Sequence, residues 1–496
     1  MTKETIRNTK ENIIHFFCSD YFLAFLAILV VFFWATGWEI FGTAVIVVSI
    51  CLYMWIGSDL KPFVAVVMFI TMMYSLRQII MPQTGPDVGS KLPTFNTAFV
   101  VVVAILVPII IISLVYNLWH FRSERQYNKG RLFYGLLIAY IGALLSGIAY
   151  SEYNKVWTLA VLGVGLGIYL VYFICINCVK GDLRPHICKI VFFAGLIVAV
   201  ECIIWFIRQP DFMNALLGKS LRVGWGMSNT LAVVFVMAVP AVIWLGLNNK
   251  IYSYVMFPAV ALFGAMLMMT LSRGNILFGG PIMAISCVYG FIKAKLPARI
   301  VAISVVAIGI IILLATPIDE YIVHALLTMN KGGFLDPNGR ERLYEIAINN
   351  FKENPIFGVG FFKPAPKRIG DGPAVTFLWK THNTFFQIIS CMGIVGTLCM
   401  VPFYVQRYWG LLKKITCFKF LALLAVLGFE LEGLVDLTFL SVHELFLVLG
   451  LLAAAESETI FMENAERLRR KTTPPTIKRS AIRKEMSYEF KQQKRL

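Results

Sequence analysis

Long apolar runs alternate with short polar segments along most of the chain. About fourteen of these runs approach the ~20 residues that a helix needs to cross a lipid bilayer. Lipid offers the backbone no hydrogen-bond partners, so each run is predicted to be a helix. The pattern therefore predicts an all-α fold, a polytopic membrane helix bundle of about fourteen (12–14) spans. The predicted spans are 20–38, 40–57, 62–80, 97–117, 132–150, 155–177, 187–207, 229–247, 252–271, 275–292, 300–316, 382–405, 416–434 and 438–455.

The longest polar interruption before the C-terminal tail is 316–381. It is predicted to carry short amphipathic helices. One of them begins at Arg340, because Leu343, Ile346 and Phe351 recur at roughly helical spacing and form one apolar face. That face is expected to lie on the membrane or on the bundle.

Composition agrees with a membrane protein. Of 496 residues, 58% are hydrophobic and 15% are charged, and the mean hydropathy is +0.74. A soluble domain could not bury that much apolar surface. The first apolar run begins near Tyr21 and lacks a cleavage pattern, so it is predicted to be a span rather than a signal peptide. None of the ten cysteines falls in 316–381, which argues against a disulfide-stapled outer domain.

Basic residues orient the spans, because cytoplasmic loops carry an excess of lysine and arginine. The predicted domains are a cytoplasmic N-terminus at 1–19, a membrane domain at 20–455 and a basic cytoplasmic tail at 456–496. With the N-terminus inside, alternation of the spans puts the tail inside as well. It puts the 316–381 loop, which belongs to the membrane domain, outside. The net charge of +17 follows from this bias and the tail, so no nucleic-acid partner is predicted. The tail is interpreted as a solvated end, with acidic lipid as an alternative partner. The other clusters predicted to be cytoplasmic are Arg122/Arg125/Lys129/Arg131, Lys180/Arg184/Lys189, Lys293/Lys295/Arg299 and Arg407/Lys413/Lys414/Lys419.

Two arginines lie on the predicted outer side. Arg273 is alone in an apolar stretch, where a charge is costly and usually faces a cavity or a partner. Arg222 lies in a loop that contains glycine and tryptophan, just before the span 229–247. The alternatives are an arginine that snorkels to the interface and an ordinary surface arginine. A guanidinium matches phosphate oxygens, so two arginines on one side favour a diphosphate ligand.

The predicted loop and its end supply further candidates. Arg340 and Tyr344 are four residues apart and share a face of the predicted helix, with a solvated helix face as the alternative. His382 lies where the polar loop returns to an apolar run. Imidazole exchanges protons near neutral pH, so His382 is a candidate for proton transfer with a hydroxyl, and a hydrogen bond to a neighbour is the alternative. His324 and His443 are rivals on the same side.

Several acidic residues are candidates for pairing with the arginines or for acting as bases. Glu201 lies within the seventh predicted span. Glu430, Glu432 and Asp436 lie near the turn between the last two spans.

Taken together, these residues resemble the bacterial O-antigen ligase/polymerase superfamily of polytopic glycosyltransferases. One motif closes a span, a second pattern fills the polar loop, and a third opens the next span. The residues that carry the resemblance are Ser272-Arg273-Gly274, Gly339-Arg340, Ala347, Asn354-Pro355, Gly358-Val359-Gly360, His382-Asn383, Gly393 and Gly396.

The resemblance implies an enzyme of the bacterial inner (cytoplasmic) membrane that uses an undecaprenyl-diphosphate-linked glycan donor at the outer face. It implies a transfer that inverts the anomeric carbon and needs neither metal nor cofactor. Arg222 and Arg273 would hold the departing diphosphate, and Arg340 would contribute to the same anion site, with Tyr344 on its face. His382 would orient or deprotonate the acceptor hydroxyl, and Asn383 would assist by hydrogen bonding.

Three functions remain open at this stage. A polymerase passes the glycan to the next lipid-linked repeat unit and is favoured by the predicted number of spans. A ligase passes the glycan to lipid A-core or protein. A flippase for an anionic lipid is the alternative from another class, but it should carry cations through the middle of several spans. For a polymerase, a chain-length regulator and a flippase of the same pathway would be partners.

Overall fold

The computed structural model describes most of the chain and is mostly helical. Gly339, Lys129, the chain beyond Thr472 and much of the 316–381 loop lie outside the described residues. The described ranges are 3–74, 80–81, 94–95, 97–125, 127–128, 130–150, 155–223, 225–316, 320, 323–324, 340–361, 364–367, 375–378, 381–438 and 442–472.

Seventeen α-helices form the described part of the chain, and a π-helix at Asn275–Gly279 leads into the twelfth. The helices are α1 (Lys3–Phe17), α2 (Asp20–Thr36), α3 (Glu39–Ile56), α4 (Lys61–Ile70), α5 (Thr97–His120), α6 (Leu132–Leu145), α7 (Lys155–Asn177), α8 (Leu183–Ile207), α9 (Phe212–Leu217), α10 (Ser228–Asn248), α11 (Lys250–Met269), α12 (Gly280–Lys293), α13 (Leu296–Ala315), α14 (Arg340–Glu353), α15 (Thr384–Leu412), α16 (Cys417–Glu432) and α17 (Val442–Thr472). Three antiparallel hairpins lie between them: β1 (Ile80–Met81) with β2 (Thr94–Phe95), β3 (Arg222–Val223) with β4 (Gly226–Met227), and β5 (Pro364–Lys367) with β6 (Val375–Leu378).

Each predicted span overlaps a helix. Within the described ranges, nine helices are long and apolar enough to cross a membrane, and the bent pair α1–α2 makes a tenth if it is one span. The mostly helical fold is therefore confirmed, and it contains candidate membrane spans. The count of about fourteen stays a prediction, because α4, α6, α7 and α16 do not meet the same criteria over their described lengths.

Polar side chains between the apolar runs fix where helices begin. The side chain of Ser19 accepts a backbone hydrogen bond at the start of α2, and Asp182 does so at the start of α8. Asn249 and Thr416 cap α11 and α16 in the same way. Each cap satisfies backbone N–H groups that have no partner within the helix. The short polar segments therefore define the ends of neighbouring helices.

The helix α10 forms the centre of the bundle. It is 89% buried, with α8, α11, α12 and α16 packed around it. Such burial explains why its sequence is apolar on all sides rather than on one stripe. Its first turn carries Asn229, which thereby lies where several helix ends meet.

At one end of the bundle, basic residues in or next to the connections between helices pair with acidic residues of α17. Arg131 lies 2.6 Å from Glu463, and Lys414 lies 2.6 Å from Glu466. Arg184 pairs with a third acid of α17. Helix α17 continues to Thr472, so this part of the predicted tail is helical and paired.

Arg407, predicted to belong to a cytoplasmic basic cluster, is instead buried between helices. Only 2% of its side chain is exposed, and its guanidinium lies 2.7 Å from Glu430 and 4.0 Å from the ring centroid of Tyr404. Helical side chains point back toward the N-terminus of the helix, so this arginine extends away from the nearby end of α15. A carboxylate and an aromatic face offset the cost of burying its charge.

Helix α15 is interrupted at Gly393, whose φ of 62° and ψ of −163° are not helical. Residues 355–360, just after α14, fill the interruption and satisfy backbone groups that the break exposes, as a lipid environment requires. This segment therefore anchors α14 against the first half of α15. Its backbone hydrogen bonds run from Ile394 N to Pro355 O, Val395 N to Ile356 O, Val359 N to Ser390 O and Gly360 N to Cys391 O, at 2.9 to 3.1 Å.

Candidate functional site

The side chains of His382 and Asp436, from two different turns, meet at one end of the bundle. The ion pairs that Glu463 and Glu466 of α17 make with basic residues lie at the opposite end. His382 Nδ1 lies 3.0 Å from Asp436 Oδ1, and the two side chains are 38% and 24% exposed. When Nδ1–H donates to the carboxylate, Nε2 is left as a proton acceptor. His382 has a φ of 52°, in the left-handed region, and such strained residues cluster at functional sites.

Asp436 is held as an anion by several donors. Burial raises its pKa, but the hydrogen bond and charge of His382, a hydrogen bond from Asn229 and the backbone N–H of Leu437 together hold the pKa of Asp436 well below its usual range. Asn229 Nδ2 lies 2.8 Å from Oδ2, and Leu437 N lies 2.8 Å from Oδ1. The carboxylate is therefore available to orient His382 and to stabilise its protonated form.

Asn229 connects this pair to the segment that contains Arg273. Its Oδ1 accepts a hydrogen bond from Ser272 Oγ at 2.9 Å, and its backbone oxygen accepts one from Asn275 Nδ2 at 3.1 Å. Asn275 Nδ2 also lies 3.0 Å from Ser272 Oγ. Because Arg273 lies between Ser272 and Asn275, the network fixes its backbone relative to Asp436.

The turn before Arg273 is sharp and strained. After α11, Leu271 adopts a φ of 49°, and Ser272 N donates to Thr270 Oγ1 at 3.2 Å. The π-helix that follows is a rare element that occurs frequently at functional sites. A side chain on Gly274 would lie 2.3 Å from Val435, so glycine is needed for the turn to approach the Asp436 segment.

Lys219 joins the same group of charges, although its sequence environment gave no reason to select it. It lies in the turn after α9 with a φ of 49° and is half-buried. Burial lowers the pKa of its ammonium group, and nearby Arg273 and Arg340 lower it further, whereas Glu432 and Asp436 oppose this. Arg273 and Arg340, from two other segments of the chain, therefore both act electrostatically on Lys219.

Arg340 and Tyr344 both lie on α14, as the pattern predicted. Arg340 is the first residue of the helix and is half-buried. The ring of Tyr344 stacks on Phe386 of α15, with centroids 4.6 Å apart and an interplanar angle of 15°. Tyr344 thus packs α14 onto α15 one helical turn after Arg340.

The side chain of Asn383 forms hydrogen bonds with backbone groups of two turns. Its Oδ1 accepts the N–H of Phe386 at 3.1 Å, which caps α15, and its Nδ2 donates to the backbone oxygen of Leu434 at 2.9 Å. These bonds tie the turn before α15 to the turn after α16. Asn383 therefore helps to bring His382 and Asp436 together.

Arg222 lies on a separate hairpin. It is exposed on β3, and among the described residues no hydrogen bond or ion pair joins it to the other candidates. The hairpin is anchored by Trp225, whose Nε1 donates to the buried Glu201 at 2.8 Å and whose ring stacks on His443 with centroids 4.7 Å apart. Glu201 and His443 were candidate bases in the sequence. In the structure both contact Trp225 and so anchor the β3–β4 hairpin.

The arrangement defines a class of site: a histidine–aspartate pair beside clustered cations, at one end of a membrane helix bundle. Residues 258–401 match the family described as O-antigen ligase. The match confirms the predicted resemblance to the O-antigen ligase/polymerase superfamily, and it includes Arg273, Arg340 and His382. No curated protein and no solved structure matches the chain.

Two residues of the network, Asn229 and Lys219, were not selected from the sequence, and Asp436 was one acid among four. Asn229 and Asp436 are both polar residues at span ends on the side predicted for His382. That shared position is the signal that could have identified them. No comparable signal marks Lys219.

Proposed function

We propose that this protein is a membrane glycosyltransferase that moves a glycan from an undecaprenyl-diphosphate carrier to an acceptor hydroxyl. The observation that carries the proposal is the His382–Asp436 pair, which Asn229 ties to the segment of Arg273. A base beside an anion site is what the transfer of a diphosphate-linked group requires. The match to the O-antigen ligase family supports this choice of reaction.

The base side of the reaction uses His382. Its Nε2 takes the proton of the acceptor hydroxyl as the oxygen attacks the anomeric carbon of the donor from the face opposite the diphosphate. The configuration at that carbon is therefore inverted. Asp436 keeps the imidazole in the required tautomer and stabilises the imidazolium that forms.

The basic side chains bind and stabilise the diphosphate leaving group. As the bond between the anomeric carbon and the diphosphate oxygen breaks, its electron pair stays on that oxygen. Arg273, Lys219 and Arg340 offset the charge that develops there, and Arg222 reaches the same diphosphate from its hairpin. Fixed cations in a partly dry site act more strongly than cations in water. The reaction is proposed to proceed without a metal ion.

The charge distribution supports an outer location for the site. The end of the bundle that carries the paired basic residues Arg131, Arg184 and Lys414 is assigned to the cytoplasm by the positive-inside rule. His382 and Asp436 lie at the other end. A lipid-linked donor is available on that side, and undecaprenyl diphosphate is the leaving group.

The acceptor is proposed to be the next lipid-linked repeat unit, which makes the protein a polymerase. The alternative acceptor is lipid A-core or protein, and the matched family is compatible with either acceptor. Lipid analysis of a deletion strain tests both. Accumulated single repeat units on undecaprenyl diphosphate indicate a polymerase, and long unattached glycan on the same carrier indicates a ligase. An unchanged lipid-linked pool would contradict glycan transfer.

A further inference from the structure

Glu432 is a buried acid that the proposed reaction leaves without a role. It is the last residue of α16, and only 2% of its surface is exposed. Neither carboxyl oxygen has a hydrogen-bond partner among the residues that the structure describes. Among the described residues, no lysine or arginine nitrogen forms an ion pair with it. A carboxyl group buried in this way requires an explanation.

The carboxyl group lies against the turn that carries Arg273. Its Oε2 is 3.4 Å from the position that a Cβ on Gly274 would occupy. The charged groups that act on it come from four segments: Arg340 of α14, Lys219 after α9, Asp436 in the next turn and Glu444 of α17. The acid thus lies inside the cation cluster, directly beside the backbone of the proposed diphosphate site.

Burial without a hydrogen-bond donor from the described residues is the main influence on the charge of Glu432. A buried carboxylate without hydrogen bonds is costly, and such a group normally takes up a proton instead. Asp436 and Glu444 add negative charge that also favours the neutral form, whereas Arg340 and Lys219 favour the charged form, and burial is the largest of these influences. A neutral carboxylic acid has one O–H donor, and the described part of the chain offers that donor no acceptor.

We propose that Glu432 carries a proton and donates a hydrogen bond to the diphosphate of the lipid-linked donor. The inference rests on the proposed function, because the anion is the diphosphate of that reaction. An ionised Glu432 would repel the same anion, whereas the neutral acid adds a donor to a site built from cations. Glu432 thereby contributes to diphosphate binding, and its proton stays on the carboxyl group throughout.

The test measures binding of farnesyl diphosphate to the purified full-length protein in detergent. Glu432→Gln is neutral, has nearly the same shape and keeps an N–H donor, so it should bind within about twofold of the wild type. Glu432→Leu keeps the volume but has no donor, and it should bind roughly tenfold or more weakly, as expected for a hydrogen bond to a charged group. Glu341→Gln, on the exposed face of α14, is the matched control and should leave binding unchanged.

Different results would contradict different parts of the account. Wild-type affinity in Glu432→Leu, with folding verified by its melting temperature, would overturn the role of Glu432 and leave the proposed function intact. Tighter binding by Glu432→Gln would show that Glu432 is an anion, which also overturns the inference. No binding of farnesyl diphosphate to the wild type would overturn the anion site and therefore both proposals.

A spectroscopic measurement tests the protonation state directly. The infrared difference spectrum between the wild type and Glu432→Gln should contain the carbonyl band of a protonated carboxyl group. A carboxylate band in its place would overturn the inference, whatever the binding results.

Discussion

His382 Nδ1 and Asp436 Oδ1 lie 3.0 Å apart, although the two residues are 54 positions apart in the chain. The contact exists because the turn before α15 and the turn after α16 are tied together. Thr384 N donates to Gly433 O at 2.7 Å, and Asn383 Nδ2 donates to Leu434 O. The pair is therefore a feature of the bundle and gives His382 a fixed orientation.

Replacing Asp436 by asparagine should reduce the rate of glycan transfer by about 10²- to 10⁴-fold, the range associated with general acid–base catalysis. The amide has the same shape, but it neither selects the Nε2-accepting tautomer nor stabilises the imidazolium. Steady-state kinetics with a lipid-linked donor would measure the effect. A transfer rate within a few-fold of the wild type would remove Asp436 from the mechanism.

The same substitution should have a pH-dependent effect on stability. The pKa of Asp436 is lower in the folded protein than in an unfolded chain, where it would be about 3.9. Its contribution to stability is therefore complete above about pH 4 and is lost as the pH falls through the folded value. Melting temperatures should show wild type above Asp436→Asn at neutral pH, with a gap that narrows only below about pH 4. A gap that is constant down to the lowest accessible pH would contradict this.

Lys219→Met should weaken the apparent affinity for the donor by about tenfold, because it removes a charge from a partly dry anion site. Lys219→Arg keeps the charge and should retain most of the affinity. Lys352→Met, at an exposed position in the last turn of α14, is the control and should behave as the wild type. Equal affinities for Lys219→Met and the control would exclude Lys219 from the site.

Gly358→Ala should destabilise the protein by more than about 1–3 kcal/mol, the cost of a strained backbone alone. Its φ is 67°, and a Cβ would lie 2.3 Å from the carbonyl group of Cys391 in the interruption of α15. Gly410 lies in α15 with open space around it, so Gly410→Ala should leave the melting temperature unchanged or raise it. Equal melting temperatures for the two variants would show that the segment before α15 is not anchored as described.

Chelation with EDTA should leave glycan transfer unchanged, since arginine and lysine side chains are proposed to offset the charge of the leaving diphosphate. The measurement is the transfer rate before and after chelation. A loss of activity that a divalent cation restores would contradict the proposed mechanism.

Much of the architecture could be predicted from hydropathy, because each apolar run overlaps one helix. Arg273, Arg340 and His382 could be assigned to one end of the bundle because topology alone fixes on which side a span ends. The helix that begins at Arg340 was likewise readable from its spacing.

Other features depend on contacts that hydropathy does not record. The run that forms α15 is continuous in sequence, so the interruption at Gly393 is visible only from its backbone angles. The hydrogen bond between Asn229 and Asp436 joins residues 207 positions apart. Arg407 was assigned to a cytoplasmic cluster from its position near a span end, whereas its partner Glu430 lies on the next helix.

The most direct test of the central claim is transfer by the purified protein in liposomes that contain an undecaprenyl-diphosphate-linked repeat unit. The account predicts that the wild type releases undecaprenyl diphosphate as longer or newly attached glycan appears. Arg273→Ala and His382→Ala should release none, while Arg342→Ala, an exposed neighbour on α14, should match the wild type. Equal release by the wild type and by both site variants would contradict the claim that this site performs glycan transfer.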